Sequence, residues 1–136
     1  MLPILSALIL SLQGVSPAQG PVGVWKTQTD EGLIRIAPCG DSLCGFVAGS
    51  MRLSAQPRQV DERNHDPALR SRQIMGLMMM KLKPVGAGKW GDGWIYNPKD
   101  GGTYQASIEM AKDGHLRLRG CIVSPMCRTE VWTRIS

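Results

Sequence analysis

At 136 residues the chain is long enough to bury one core and too short for two ordinary domains. A hydrophobic share of 43% with 20% charged residues excludes a disordered chain, and 16 Gly and 9 Pro scattered between apolar runs favour many turns over long helices. The formal net charge of +5 allows weak attraction to anionic surfaces, but the basic residues form no run, so no nucleic-acid partner is expected.

Met1 to Ala18 carry no charged side chain and hold an apolar core from Ile4 to Leu12. Ser16-Pro17-Ala18 places small residues where a signal peptidase reads them, so a cleavable signal peptide over residues 1–18 is expected, leaving a single domain over 19–136. A membrane span needs about 20 apolar residues. Pro3, Gln13, Gly14 and Pro17 interrupt this run, so no transmembrane segment is expected after processing. The expected setting is periplasmic or secreted.

Val22 to Thr29 reads as a first strand, with Asp30-Glu31-Gly32 as its turn. Leu33 to Ala37 and Leu43 to Ala48 follow as strands, and the polar segment from Ser50 to Asn64 reads as a long loop. Asp66 suits an N-cap and Pro67 a first helical position, which predicts a short helix ending near Ile74, before Gly76. Leu77 to Lys83 resumes a strand, with Met78, Met80 and Leu82 on one side and Met79, Lys81 and Lys83 on the other. Trp90 to Tyr96 is the next, and Asn97 to Gly102 is a turn by composition. Thr103 to Met110 alternates Tyr104, Ala106, Ile108 and Met110 against polar partners, and Asp113-Gly114 signals a hairpin. His115 to Ile122 turns Leu116 and Leu118 inward. The last strand, Cys127 to Ile135, sets Cys127, Thr129, Val131, Thr133 and Ile135 against Arg128, Glu130, Trp132 and Arg134.

These elements make an all-β fold. Eight strands joined by hairpins, with one short helix between the third and fourth, predict an antiparallel up-and-down barrel closed between its first and last strands. A two-sheet sandwich fits the same pattern. The four cysteines fall in two close pairs, each flanking a turn, and local pairing of Cys39 with Cys44 and Cys121 with Cys127 closes two hairpins. A zinc site is the competing reading, disfavoured by export and by spacings longer than Cys-x-x-Cys. No metal or cofactor is expected.

Gly23-Val24-Trp25 on the first strand, with Arg134 on the last, resembles the signature of lipocalin-like (calycin) barrels. The resemblance implies that Arg134 rests on the Trp25 indole and plugs a closed end. Further blocks cover nearly the whole mature chain: Cys39 with Leu43-Cys44-Gly45, Asp66 to Arg72, Gly76-Leu77, Trp90-Gly91, Ile95 to Pro98, Asp100-Gly101 with Thr103-Tyr104, Gly120-Cys121, Cys127-Arg128-Thr129 and Trp132-Thr133-Arg134. Together they resemble an uncharacterised family of small exported bacterial domains, a domain of unknown function. That resemblance implies export and a shared fold. Asn97 stands where the family pattern leads us to expect Asp, and Gln73 where we expect Pro, so any family activity resting on that Asp is in doubt here.

Three sets of residues are candidates for function. Arg70 and Arg72, beside the Asp66 cap at the barrel mouth, are placed to clamp a carboxylate or phosphate. The competing reading is a lid helix whose arginines pair with nearby acids. Trp90, Trp94 and Tyr96 share a strand face and, with Tyr104, Met78 and Met80, suit the wall of an apolar cavity; if that face points outward they form a surface stripe. His65 beside Asp66 invites an acid/base reading, but neighbours on a turn rarely orient each other, and no Ser or Cys nucleophile has a recognisable setting. The expectation is non-covalent binding of a small apolar or amphipathic molecule, with an envelope or protein interaction module built on a filled barrel as the alternative. An enzyme is the least supported reading.

Overall fold

Eight runs of alternating side chains become eight antiparallel strands in the computed structural model, which describes residues 20–29, 32–123 and 126–136. The predicted signal segment and the turns at Asp30-Glu31 and Ser124-Pro125 lie outside the described residues. The strands are β1 (Gly23–Lys26), β2 (Leu33–Cys39), β3 (Ser42–Gly49), β4 (Met78–Gly86), β5 (Lys89–Asn97), β6 (Gly102–Met110), β7 (Leu116–Val123) and β8 (Met126–Arg134). Each pairs with the next, and β1 pairs with β8 through Trp25 opposite Arg134 and Lys26 opposite Thr133. The sheet is therefore a closed barrel, and the sandwich alternative falls away. Closure removes every free edge.

Side chains fill only one half of it. Trp25, Ile36, Leu43, Met80, Leu82, Ile108 and Leu116 are buried towards the end where the chain turns at Gly40-Asp41 and where Val24 meets Ser136. There Arg134 lies 4.4 Å from the centre of the Trp25 ring and donates to the carbonyls of Val22 (2.9 Å) and Gly20 (2.5 Å). The Trp25 indole N–H donates to Pro21 (2.7 Å), and Val24 and Ser136 exchange backbone hydrogen bonds. A guanidinium on an indole face, with its donors satisfied by carbonyls, seals this end.

Two bulges reset the alternation read from the sequence. Gly45 opposes Met80 while Phe46 opposes Met78, so β4 carries one extra residue. Met79 and Met80 are consequently both buried, and Met78, expected beside Met80, points out with 37% of its surface exposed. Gly45 makes the room: a Cβ there would sit 3.1 Å from the Met80 methyl. In β5 the bulge lies between Trp90, opposite inward Ile108, and Gly93, opposite Ala106, with Asp92 at φ 49°. Trp90 is therefore inside, against the core of the closed end, whereas Trp94 and Tyr96 oppose outward Gln105 and Thr103. The three aromatics do not share a face.

The connection between β3 and β4 also differs from expectation. A five-residue helix, α1 (Met51–Ala55), starts where a loop was expected; Ser50 caps it by accepting from Leu53 N–H (3.0 Å), and Leu53 is its one buried residue. At Pro67–Leu69 only a single 3₁₀ turn forms, capped by Asp66, whose carboxylate accepts from Ala68 N–H (3.0 Å). None of its residues is buried, so nothing extends it to Ile74.

Both disulfides link the cysteines expected from their spacing. Cys39–Cys44 lies at the closed end and Cys121–Cys127 at the other. The outside of the wall exposes Arg35, Lys81, Lys83, Glu109, Arg117 and Arg119 while most of the side chains buried inside are apolar, the reverse of a barrel that faces lipid.

Candidate functional site

The unfilled half of the barrel is a cavity of about 960 Å³ that opens at the end opposite the Trp25–Arg134 plug. Ile34, Val47, Met79, Ile95 and Leu118 form its apolar wall, and Trp132, 1% exposed, lies among its deeper residues. The volume is at the upper end of what small-molecule pockets offer.

Strand β8 brings charge into this space. Register places Trp132 opposite Leu116, Glu130 opposite Leu118 and Arg128 opposite Gly120, all on the inward side. Thus the face that carries Arg128, Glu130, Trp132 and Arg134 is the inner one, and Val131 and Ile135, 41% and 54% exposed, face water. Glu130 accepts from the Trp132 indole N–H (3.2 Å). Arg128 makes no hydrogen bond or ion pair among the described residues, and it lines the cavity across from Gly120, where no side chain competes for the space. Around it the mouth is ringed by Arg52, Arg63 and Lys99 together with Glu62 and Asp100.

The sequence-predicted site residues divide between this cavity and the outer wall. Tyr104 lines the cavity, but its hydroxyl is held by Asp100 (2.5 Å), which also accepts from Gly102 N–H (2.8 Å). That hydrogen bond first, then burial and the Asp100 charge, raises the Tyr104 pKa above its ordinary value. Met80 belongs to the filled half. Trp94 and Met78 line a shallow outer groove with Leu69, Arg72 and Thr103. Tyr96 reaches both spaces.

Neither arginine of the expected clamp faces the cavity. Arg70 Nε donates to the Asn64 carbonyl (2.7 Å), and Arg72 Nε to Asp61 (3.0 Å) while its guanidinium lies 5.2 Å from the Tyr96 ring centre. Both are spent on holding the long connection. Asp61, not singled out in the sequence, is the hub. It has no exposed surface and accepts from Tyr96 (2.6 Å), Asn64 (2.9 Å) and Arg72. Burial pushes its pKa up, but those three hydrogen bonds and the Arg72 charge outweigh burial and hold it below the usual carboxylate range. Burial, then the bond to Asp61 and its charge, pushes the Tyr96 phenol up to about 12.

The same segment is fastened to the β5–β6 turn. Arg63 donates to the Lys99 carbonyl (2.7 Å), and His65 Nε2 lies 3.2 Å from the Asp100 carbonyl. Gly101, at φ 71°, is required there, since a Cβ would meet the Arg63 carbonyl oxygen at 1.8 Å. His65 and Asp66 therefore have separate jobs, the one against Asp100 and the other capping Ala68, and do not form an acid/base pair. Among the described residues no group of three His, Cys, Asp or Glu converges to hold a metal ion.

Residues 23–134 match the family described as an uncharacterised protein conserved in bacteria, DUF2147. The chain belongs to this family. A solved structure, protein HP1028 from Helicobacter pylori, described as belonging to the lipocalin family, is similar with a TM-score of 0.76, covering 85% of this chain and 82% of its own at 22% identity. At that identity the likeness carries the fold. No curated protein matches the sequence. Within this DUF2147 chain, Asn97 works as a turn residue: its Oδ1 accepts from Lys99 N–H (3.0 Å) and its carbonyl from Gly101 N–H (2.8 Å).

Proposed function

We propose that this barrel binds a small amphipathic molecule non-covalently, its apolar part in the open half and an acidic head at Arg128. The observation that carries the reading is the pairing of an apolar cavity of about 960 Å³ with an inward arginine that has no partner of its own. Arg128 then takes the role that the sequence suggested for Arg70 and Arg72. A guanidinium beside an apolar wall favours a carboxylate or phosphate, which it meets with paired hydrogen bonds. Glu130, half-buried one step deeper, repels a second acid and orients the head towards the mouth. The lipocalin-like fold is consistent with such a role, since barrels of this size hold one small ligand. An interaction module built on a filled barrel is the weaker reading because only half of the barrel is filled.

The setting we infer is periplasmic or secreted, after removal of residues 1–18. The two disulfides are consistent with an oxidising compartment.

Native mass spectrometry of the mature protein, purified without reductant, tests the reading together with titration by oleate. A carried mass that is lost on denaturation, or saturable oleate binding at one site, is the expected result. A bare mass and no binding of oleate or of a phosphate-headed analogue would sink the carrier function.

A further inference from the structure

Whatever enters the cavity passes its rim first, and among the charged residues of that rim stand exposed apolar side chains. Met51 on α1 is 70% exposed, Ile122 near the end of β7 65%, and Met126 at the start of β8 63%. They are the three most exposed large apolar side chains among the described residues, and all three line the mouth. Side chains of this kind scattered singly need no explanation, but three gathered around one opening do.

Cations alternate with them. Arg52 follows Met51, Arg128 stands two residues from Met126, and Arg63 lies on the same rim. Arg52, like Arg128, makes no ion pair among the described residues. The acids that line the cavity, Glu62, Asp100 and Glu130, are outnumbered by Arg52, Arg63, Lys99 and Arg128, and Asp100 accepts from Tyr104 and the Gly102 amide.

We propose that the open end docks, mouth down, on the surface of an anionic lipid layer. Met51, Ile122 and Met126 would enter the boundary of the acyl chains, while Arg52 and Arg63 meet lipid phosphates. Binding at such a surface grows with the apolar area inserted and with the attraction of anionic heads, each basic residue near the surface strengthening it about fivefold. A lipid layer suits this rim better than a protein face does. The apolar side chains sit on separate elements around a hole, and a bilayer conforms to a ring whereas a folded partner would need a plug to fill it. The closed end also exposes apolar side chains, Val22, Val85 and Ile135, but they surround no opening, since the carbonyls there and Arg134 are joined to each other. Docking in this orientation goes beyond ligand binding, and gives an amphipathic molecule a path from the layer to the cavity without crossing water.

Flotation of the disulfide-intact protein with vesicles reads the docking directly, with no ligand needed. The wild type is expected to float with mixed phosphatidylcholine–phosphatidylglycerol vesicles at low salt, weakly with pure phosphatidylcholine, and less as salt rises. Replacing the three apolar residues together (Met51→Ser, Ile122→Ser, Met126→Ser) should lower the partition coefficient roughly a hundredfold. Arg52→Glu should lower it about tenfold or more on the anionic vesicles alone. Thermal melts show whether each variant folds; if the triple variant does not, Arg52→Glu decides. Failure of the wild type to float, flotation of a folded triple variant like the wild type, or an unchanged Arg52→Glu partition would each overturn docking. So would light scattering that shows a dimer of the wild type and a monomer of the folded triple variant. Oleate titration of the same samples keeps failure of the carrier reading distinguishable from failure of docking.

Discussion

The Tyr96 hydroxyl donates a 2.6 Å hydrogen bond to Asp61, a carboxylate with no exposed surface that lies 35 residues earlier in the chain. This contact joins the outer wall of the barrel to the long connection before β4. Tyr96→Phe keeps the ring under Arg72 but leaves one Asp61 oxygen without its donor. It should cost about 1–3 kcal/mol, the range for unsatisfying a buried group. Urea unfolding monitored by tryptophan fluorescence measures it, and an unchanged midpoint would mean that water serves Asp61 as well as the phenol does.

The same pair sets how stability depends on pH. Asp61 has its folded pKa held below the ordinary 3.8, so its contribution is present above that value and is lost as pH falls through the folded pKa. Tyr96 moves the other way, from 10.0 to about 12, so its contribution is complete below pH 10 and disappears as pH rises towards 12. Melting temperature should therefore fall at both extremes. In Tyr96→Phe the alkaline limb should flatten; an alkaline limb as steep as in the wild type would assign that loss to other groups.

Ligand head and ligand tail are separable by two substitutions in the cavity. Arg128→Gln removes the charge but keeps much of the length, and should weaken oleate about tenfold while leaving oleyl alcohol unchanged. Gly120→Leu fills space instead: a Cβ there meets Ile95 and Tyr104 only at 3.8 and 3.9 Å, so the barrel accepts it. It should weaken acid and alcohol alike. Isothermal titration of both ligands against both variants gives the pattern, and equal loss of acid and alcohol in Arg128→Gln would remove Arg128 from head-group recognition.

Much of this was legible in the sequence, and the rest was hidden for physical reasons. Hairpin turns and period-two runs located the eight strands, and the Trp25–Arg134 pair located the closure, because both are local or carried by a strong motif. The face of β8 was legible too. If Arg134 rests on Trp25 inside the closed end, then Trp132, Glu130 and Arg128 must follow it inward by parity. Hydrophobicity alone argues for the opposite face, which is why the inward charges escaped notice. The bulges at Met79-Met80 and at Gly91 to Gly93 shift each later side chain by one, and a period cannot reveal an inserted residue without knowledge of the partner strand. Asp61 was invisible for a similar reason, its partner Tyr96 being fixed only once the barrel has closed. As for α1, five residues with a single buried Leu53 leave too short a pattern for period analysis.

The long connection is bolted to the barrel from outside, by Asp61 to Tyr96 and by Arg63 and His65 to the β5–β6 turn. The stretch from Asp61 to His65, held at both of those places, does not swing across the mouth. Exchange of a guest is then an ungated process: the observed association rate should rise linearly with guest concentration, with no plateau set by an opening step. Selection must rest on the cross-section of a fixed doorway and on the charge just inside it.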